Sequence, residues 1–422
     1  MHLRLLTLWL ATRALLLLCV LKVLTVPGPD VTSDVEVIYR GWYEILRTGT
    51  FPLDDVTWQY PPAAALAVLS PGLLPFLDYP TAFFALCCGC DAAVLALLRR
   101  AGARPGRRAA GAWAWTAGVP LLGPTAYARY DLMVTAVAVL ALLAGVRHAR
   151  VLAVLAAFGA LLKVWPALLL LGIPRGPGTR RAWTAAALTA LGLLLAFTAA
   201  MPGALAFLDF QRDRGTEVES VGALVLHVAR AFGWPGRPQL NYGSVEFIGP
   251  YVPLVSGAAQ VLTVLGFGWL LLWRLRARSW APSTPGDAAF AAVLLFTTTS
   301  RVISPQYLLW LVGLAAVCLS YRAGRMRTPA LLTLAATGVT FLEFPIWFSH
   351  VVAGDVLGLT LLLVRNGLLV AATVTACRTL WRQTVTEPAR TGTRRVPQQP
   401  VRTGRLTDSR DDGTVQPSSR RR

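Results

Sequence analysis

The chain has 422 residues, of which 55% are hydrophobic and 14% are charged, whereas about a quarter of the residues in an average soluble domain are charged. This composition excludes an ordinary soluble protein. The formal net charge is +19, but the arginines cluster in short segments between apolar runs, as in cytoplasmic loops of membrane proteins. The charge therefore does not indicate a nucleic-acid-binding surface.

Apolar runs close to the roughly 20 residues that cross a bilayer recur along the chain. The first, at 5–24, lacks the small-residue cleavage site of a signal peptide and predicts a retained first helix. The later runs are residues 126–146, 183–201, 250–273 and 331–348. Residues 61–76 are short for a span, and 152–173 contain Lys163 and Pro166. The prediction is an all-α polytopic membrane protein with roughly ten to thirteen transmembrane or re-entrant helices.

Acidic residues gather in two long loops, a first outer loop at 27–61 and a second at 204–247. The positive-inside rule predicts that both loops lie outside, whereas the arginine-rich short loops and the amino terminus lie in the cytoplasm. Residues 1–377 are then one membrane domain. Residues 378–422 contain eleven arginines and four acidic residues and have no apolar periodicity, which predicts a disordered basic cytoplasmic tail.

The first outer loop contains an amphipathic pattern over residues 34–47, which predicts a helix that starts at Ser33 and Asp34. The expected apolar face is Ile38, Trp42 and Ile45, flanked by Tyr39, Tyr43 and Leu46. Such a helix would lie along the membrane surface and hold Asp34 at its start. A carboxylate at that depth could bind the hydroxyl group of an acceptor. The alternative is that Asp34 only caps the helix.

Several ionisable residues lie within or beside the apolar runs, where an unpaired charge is costly. They are Asp131, Lys163, Glu343 and Arg365. Together they predict a polar cavity that holds an anionic ligand. The candidates for binding a phosphate are Arg129, Lys163, Arg301 and Arg365. The alternative for Arg129 and Asp131 is an anchoring role at the membrane surface.

Two further positions are weaker candidates. Pro305 predicts a helix that starts after Ser304, and the free amides of a helix start can bind an anion, although proline also stands there for structural reasons. His350 ends another apolar run and could assist a phosphate or a proton, or simply be solvated.

The sequence contains no nucleotide-binding or hydrolase motif, since a Walker motif, a glycine-rich dinucleotide fingerprint and HExxH are all absent. Cys87, Cys88 and Cys90 lie close together, but no second cluster of cysteine and histidine completes a metal site. The cysteines are expected to pack as small apolar side chains. Neither a metal nor a cofactor is predicted.

Seven short motifs occur in order along the chain. They are Asp34 with Tyr39 and Trp42; Trp58-Gln59-Tyr60-Pro61-Pro62; Arg129-Tyr130-Asp131; Lys163-Val164-Trp165-Pro166; Arg214-Gly215 with Glu219-Ser220; Ser304-Pro305-Gln306-Tyr307 with Trp310; and Arg365-Asn366. Together they resemble the polyprenol-phosphate-mannose-dependent mannosyltransferases of actinobacteria, in glycosyltransferase family 87, which have the GT-C membrane fold. The resemblance spans residues 5–375.

The resemblance implies that a sugar is transferred with inversion from a polyprenyl-phosphate donor to a lipid or glycan acceptor at the outer face of the plasma membrane. Mannose is the expected sugar. The resemblance also implies that Asp34 is the general base and that no metal is needed. With the candidates above, the expected substrate-binding residues are Tyr39, Trp58, Gln59, Tyr60, Arg129, Asp131, Lys163, Arg214, Glu219, Arg301, Gln306, His350 and Arg365. Membrane lipids are the expected surroundings.

Alternatives stay open for the base and for the function. Asp30, Glu36, Asp54 and Asp55 could each compete with Asp34 for the role of base. A transporter or flippase for a lipid-linked glycan, or a structural subunit of a cell-envelope complex, would also contain charged residues in the membrane. A surface helix that carries a carboxylate favours the enzyme.

Overall fold

A computed structural model of the chain describes residues 2–146, 148–208 and 214–386. This part is mostly helical, as predicted, and six of its helices are long and apolar enough to cross a membrane. These six are Leu3–Val20, Tyr79–Gly102, Pro177–Ala200, Val252–Arg276, Arg327–Ile346 and Val356–Thr386. Shorter apolar helices are Ala64–Leu73, Asp131–Gly145, Ala149–Leu162 and Tyr307–Leu319. A total of ten to thirteen transmembrane or re-entrant helices therefore stays a prediction.

The α-helices are numbered here in chain order. They are α1 (His2–Val20), α2 (Arg40–Leu46), α3 (Ala64–Leu69), α4 (Tyr79–Gly102), α5 (Ala110–Gly118), α6 (Asp131–Gly145), α7 (Ala149–Leu162), α8 (Pro177–Ala200), α9 (Ala223–Ala231), α10 (Val252–Arg276), α11 (Thr284–Thr299), α12 (Tyr307–Leu319), α13 (Arg327–Phe341), α14 (Phe348–Ala353) and α15 (Val356–Trp381). The 3₁₀ segments are Ser70–Leu73, Pro120–Ala126 and Trp165–Gly172, and the π-helical segments are Asp34–Tyr39, Leu342–Ile346 and Arg382–Thr386.

The centre of the helical bundle is formed by α11 and α12. Every residue of α12 from Leu308 to Leu319 is buried, and most of α11 is buried as well. A helix that is apolar on all sides belongs inside a bundle, because it has no polar face to turn outward. These two helices provide the scaffold on which the polar loops rest.

Aspartate caps fix the start of two long helices. At the start of α4, the Asp78 carboxylate accepts a hydrogen bond from the Thr81 amide at 3.3 Å. At the start of α15, the Asp355 carboxylate accepts from the Gly358 amide at 3.0 Å. Each carboxylate satisfies an amide that lacks a partner within its helix. The second cap thereby sets the depth at which Arg365 enters the bundle.

Two helix breaks lie inside the bundle. The segment between α5 and α6 contains Gly123, whose φ is +62° and whose place could not take a Cβ atom, because that atom would lie 2.2 Å from the Phe341 ring. After α7, Lys163 has an extended backbone, and Pro166 lacks the amide needed to continue the helix. Irregular backbone at this depth is tolerated where it lines a cavity or is covered by protein.

The second outer loop contains a small antiparallel sheet, which the all-α prediction missed. Its strands are β1 (Thr216–Glu217), β2 (Arg237–Asn241) and β3 (Ser244–Ile248), in the order β1-β3-β2. Glu246 of β3 is paired with Glu217 on one side and with Gln239 on the other. Tyr242 and Gly243 join β2 to β3 with positive φ angles of +49° and +76°, as two-residue hairpin turns require.

The predicted helix of the first outer loop is present over Asp34–Leu46, but its buried face differs from the expected one. The buried side chains are Val35, Tyr39, Trp42 and Leu46, whereas Ile45 is 38% exposed. The π-helical first half widens the turn and changes the spacing of inward positions. The helix also packs against α4, where Tyr39 and Phe83 lie 5.6 Å apart between ring centroids. The Ser33 side chain does not cap it and donates to the Asp30 carbonyl instead.

The C-terminal boundary lies later than predicted. Helix α15 continues through Arg378, where the tail was expected to begin, to Trp381, and a π-helical segment follows to Thr386. Arg378 and Arg382 therefore stand on helical backbone. The rest of the predicted tail, 387–422, lies outside the described residues.

Candidate active site

A cavity of about 620 Å³ lies where the first outer loop, the helix breaks and the sheet meet. Nine of the predicted site residues line it: Asp34, Gln59, Tyr60, Arg129, Lys163, Arg214, Glu219, Arg301 and Gln306. Apolar side chains that include Val164, Trp165, Phe207, Phe296 and Phe344 also line it. The lining therefore combines four cationic side chains and four carboxylates with an apolar surface.

Asp34 is held at this cavity by Arg129. The Nη2 atom of Arg129 lies 3.0 Å from the Oδ2 atom of Asp34, and the Asp34 side chain is 31% exposed. Arg129 is buried, and its Nη1 atom donates to the carbonyls of Val31 at 2.9 Å and Ala128 at 2.8 Å. The guanidinium is thus fixed at Nη1 by two backbone carbonyls. It orients one carboxylate oxygen of Asp34, and the second oxygen, Oδ1, is available to accept a proton from a substrate.

Lys163 enters the cavity within a ring of aromatic side chains. Its Nζ atom lies 2.7 Å from Asp131 Oδ1 and between 5.1 and 5.7 Å from four ring centroids. Those rings belong to Tyr60, Tyr130, Tyr307 and Trp310. Asp131 also accepts from the Trp310 indole at 2.6 Å and is 1% exposed. Asp131 therefore anchors the ammonium group from behind and does not line the cavity itself.

Arg214 belongs to the second outer loop, and the sheet holds it in place. Its Nε atom donates to Glu246 Oε1 at 3.1 Å, and its Nη2 atom donates to Ser244 Oγ at 2.6 Å. The other oxygen of Glu246 accepts from the Gly215 amide at 3.0 Å. Because Glu246 is 1% exposed, this carboxylate joins β3 to the Arg214 loop. Folding of the sheet is therefore coupled to the position of a cation at the cavity.

Glu217 is a cavity residue that sequence reasoning missed. It is 2% exposed, and its Oε1 atom accepts a hydrogen bond from Ser304 Oγ at 3.1 Å. Its backbone amide donates to the Arg301 carbonyl at 3.0 Å. Burial raises the pKa of the Glu217 carboxyl group, against the opposing effect of Arg214. The available signal was its place in the acidic loop, three residues after Arg214.

Arg365 does not reach the cavity. Its guanidinium, 1% exposed, forms two hydrogen bonds with the Glu343 carboxylate, at 2.8 and 2.6 Å. A second carboxylate, Glu219, lies 3.6 Å away, and Asn366 donates to the Glu219 carbonyl at 3.3 Å. Burial, followed by repulsion from Glu343 and Glu217, raises the pKa of Glu219 well above its ordinary value. The structure therefore places Arg365 as the partner of two carboxylates behind the cavity wall.

Three other predicted residues lie away from the cavity. Tyr39 and Trp58 are buried behind its aromatic wall, each packed against Trp42 with ring centroids 5.4 and 5.0 Å apart, respectively. His350 is 42% exposed, and its Nδ1 atom lies 2.5 Å from Asp355 Oδ2. Tyr39 and Trp58 can therefore support the site but do not touch a ligand in it, and His350 is paired at a helix end.

The four competing acids separate by position. Asp30 lines the cavity. Burial raises the pKa of its carboxyl group, but hydrogen bonds from Thr32 and Lys22 outweigh this effect, so the pKa is lowered overall. Glu36 pairs with Lys22 at 2.7 Å, and Asp55 accepts from the Trp42 indole at 2.7 Å. Neither these two nor Asp54 lines the cavity. Asp30 is thus the competitor that shares a location with Asp34.

Within the part of the chain that the structure describes, no group of three or more His, Cys, Asp or Glu side chains could hold a metal ion. The sequence model of glycosyltransferase family 87 matches residues 58–305, more than half of the chain. No curated protein sequence matches the chain. The matched segment includes Arg129, Lys163 and Arg214, but it starts after Asp34.

Proposed function

The chain belongs to glycosyltransferase family 87, and from this premise we propose that it transfers mannose from a polyprenyl-phosphate donor to a lipid or glycan acceptor. The reaction inverts the anomeric configuration, uses Asp34 as general base and takes place at the outer face of the plasma membrane. The tail faces the cytoplasm.

The observation that carries this proposal is the lining of the cavity. Four of the side chains that line it are cationic, namely those of Arg129, Lys163, Arg214 and Arg301. Apolar side chains such as Trp165 and Phe296 line the same cavity. A polyprenyl-phosphate sugar has the matching chemistry, because a phosphate joins a polar sugar to a long hydrocarbon chain. A nucleotide sugar lacks the hydrocarbon part.

The chemistry needs one proton acceptor and a stabilised leaving group. Asp34 takes the proton of the acceptor hydroxyl while the hydroxyl oxygen forms a bond to the anomeric carbon. The bond from that carbon to the phosphate oxygen breaks, and the polyprenyl phosphate departs with its negative charge. Lys163 and Arg214 stabilise that charge, which builds up in the transition state. A phosphate leaves without a proton, so a second carboxylic acid of the glycosidase kind is not required.

Arg129 supports this role of Asp34. An arginine that is fixed by two backbone carbonyls can hold a carboxylate in one orientation. Displacement on the face opposite the leaving group demands such an orientation, since the base, the acceptor oxygen and the anomeric carbon must be aligned. Arg129 is therefore proposed as a positioning residue for the base.

The orientation in the membrane follows from charge. Asp34 and the cavity belong to the acidic outer loops, whereas Arg274, Arg276 and Arg378 stand at the ends of α10 and α15. Arginine-rich ends stay in the cytoplasm. The reaction is therefore proposed on the opposite face.

The purified full chain, reconstituted in lipid vesicles with an extract of membrane acceptors, provides the test. Radiolabelled polyprenyl-phosphate mannose is supplied as donor, and GDP-mannose with the same label is the matched control. Labelled product is expected with the lipid-linked donor and not with GDP-mannose. Transfer from the nucleotide sugar would contradict the proposal, and movement of the lipid-linked donor between leaflets without any product would favour a transporter.

A further inference from the structure

A second cavity, of about 490 Å³, lies along α15 and is lined by none of the residues that line the candidate active site. Its lining comes from α10, α11, α15 and the π-helical segment after α15, and extends from Thr373 to Arg382. The nine residue steps between these two positions rise about 14 Å. That length is close to half of the roughly 30 Å hydrocarbon core of a bilayer, so the groove has the depth of one lipid leaflet.

The walls of this groove are apolar and partly aromatic. Its floor includes Leu295, which belongs to a small buried cluster with Leu270 and Ala292. Trp269 of α10 and Trp381 of α15 line it side by side as a contacting ring pair, with ring centroids 6.1 Å apart. Tryptophan side chains favour the depth at which the lipid headgroups meet the hydrocarbon.

Cationic side chains form one rim. Arg378 and Arg382 both line the groove, and both side chains are exposed. They are four residues apart, which places them on one face of the helical segment, one turn from each other. The basic end of α10 is adjacent, because the Arg278 amide donates to the Thr384 carbonyl at 2.8 Å. The rim therefore faces the arginine-rich side of the membrane.

We propose that this groove is a binding site for one anionic phospholipid of the leaflet at the arginine-rich side. The lipid phosphate contacts Arg378 and Arg382, and an acyl chain lies along the Trp269–Trp381 ring pair and over Leu295. A paired cationic rim matches a headgroup with net negative charge, and an apolar groove one leaflet deep matches the chain. This site is independent of the transfer reaction proposed above.

The test titrates the delipidated full chain in detergent with phosphatidylglycerol or phosphatidylcholine and counts bound lipids by native mass spectrometry. Wild type is compared with the double variant Arg378→Gln, Arg382→Gln. The matched control is Arg276→Gln, Arg278→Gln, which removes the same charge beside the groove from side chains that do not line it. A fourth protein, Val374→Trp, keeps both rim arginines and fills the groove at a side chain that is 41% exposed.

Wild type is expected to bind one phosphatidylglycerol more tightly than phosphatidylcholine. The Arg378, Arg382 variant should lose roughly thirtyfold in that affinity, as expected for two arginines near an anionic headgroup, while the matched control stays near wild type. Val374→Trp should weaken binding as well. Equal binding of the two lipids, or unchanged phosphatidylglycerol binding by Val374→Trp, would overturn the proposal. So would a dimer that Val374→Trp dissociates, because a second copy of the chain would then occupy the groove.

Discussion

The Arg129 guanidinium lies 3.0 Å from the Asp34 carboxylate, and this contact joins the break before α6 to the first outer-loop helix. Arg129 is fixed by the carbonyls of Val31 and Ala128. The position of Asp34 therefore depends on a residue 95 positions away in the chain.

Arg129→Gln is expected to reduce transfer by about tenfold or more, since it removes a charge-assisted contact that orients Asp34. The effect should appear in kcat more than in KM for the donor. Arg47→Gln is the control, because Arg47 and its partner Glu44 are both more than half exposed and such surface pairs contribute little. A loss confined to KM would contradict a positioning role.

Lys163→Met is expected to destabilise the fold by about 3 to 5 kcal/mol, because it leaves Asp131, 1% exposed, without its cationic partner. The double variant Asp131→Asn, Lys163→Met removes both charges and should recover much of that stability. Transfer should stay lost in both variants, since the phosphate has lost its ammonium partner. Thermal unfolding measures the first effect and labelled product the second.

Activity that returns together with stability in the double variant would contradict a role of Lys163 in the reaction.

The Glu219 carboxyl group predicts how stability depends on pH. Burial, Glu343 and Glu217 raise its pKa well above the ordinary value of 4.5. A group whose pKa rises on folding binds its proton more tightly in the folded state, so its stabilising effect is complete below the unfolded-state pKa and is lost as the pH rises through the folded-state pKa.

Glu219→Gln keeps a neutral side chain at every pH. Between about pH 5 and pH 9 the wild-type unfolding temperature should fall more than that of Glu219→Gln. Thermal unfolding of both proteins across this range measures the difference. Parallel curves would show that Glu219 does not gain its proton on folding.

Substitution of Asp91 is expected to lower the stability of the fold without changing catalysis. This residue of α4 is fully buried, and its carboxylate accepts hydrogen bonds from Arg13, Trp9, Trp115 and Tyr127. Asp91→Asn should cost about 3 to 5 kcal/mol, because Arg13 would keep a buried, uncompensated charge.

The specific activity of the folded Asp91→Asn fraction should match wild type, since Asp91 does not line the cavity. Denaturant or thermal unfolding gives the stability, and transfer per folded molecule gives the activity. A folded variant that transfers no sugar would contradict a purely structural role.

Membrane helices and a polar cavity could be predicted because both follow from local composition. A long apolar run has few alternatives to a membrane helix, and the cost of a charge in the membrane singles out Arg129 and Lys163 as residues that need a partner or a cavity. The structure places both at the same cavity. The partners of these two residues could not be predicted. Val31, which accepts from Arg129, and Asp131, which pairs with Lys163, are each far along the chain from the residue that they contact.

Other features depend on pairing across long sequence separations. The sheet brings Glu246 to Arg214 and Gly215, and no local pattern in its short strands reveals that register. Arg365 was expected at a phosphate, but Glu343 and Glu219 approach it from other segments. The prediction of the buried face of the first outer-loop helix was wrong, because a π-helical start does not follow the 3.6-residue period.

Asp34 is proposed as the general base of a sugar transfer from a lipid-linked donor. The most direct measurement compares wild type, Asp34→Asn and Asp54→Asn at equal expression, scoring both donor binding and labelled product. Asp54 is the control because it belongs to the same loop but does not line the cavity. This role predicts that Asp34→Asn still binds donor and loses about a hundredfold or more in transfer, while Asp54→Asn is near wild type. Full transfer by Asp34→Asn would contradict it and would make Asp30 the next carboxylate to test.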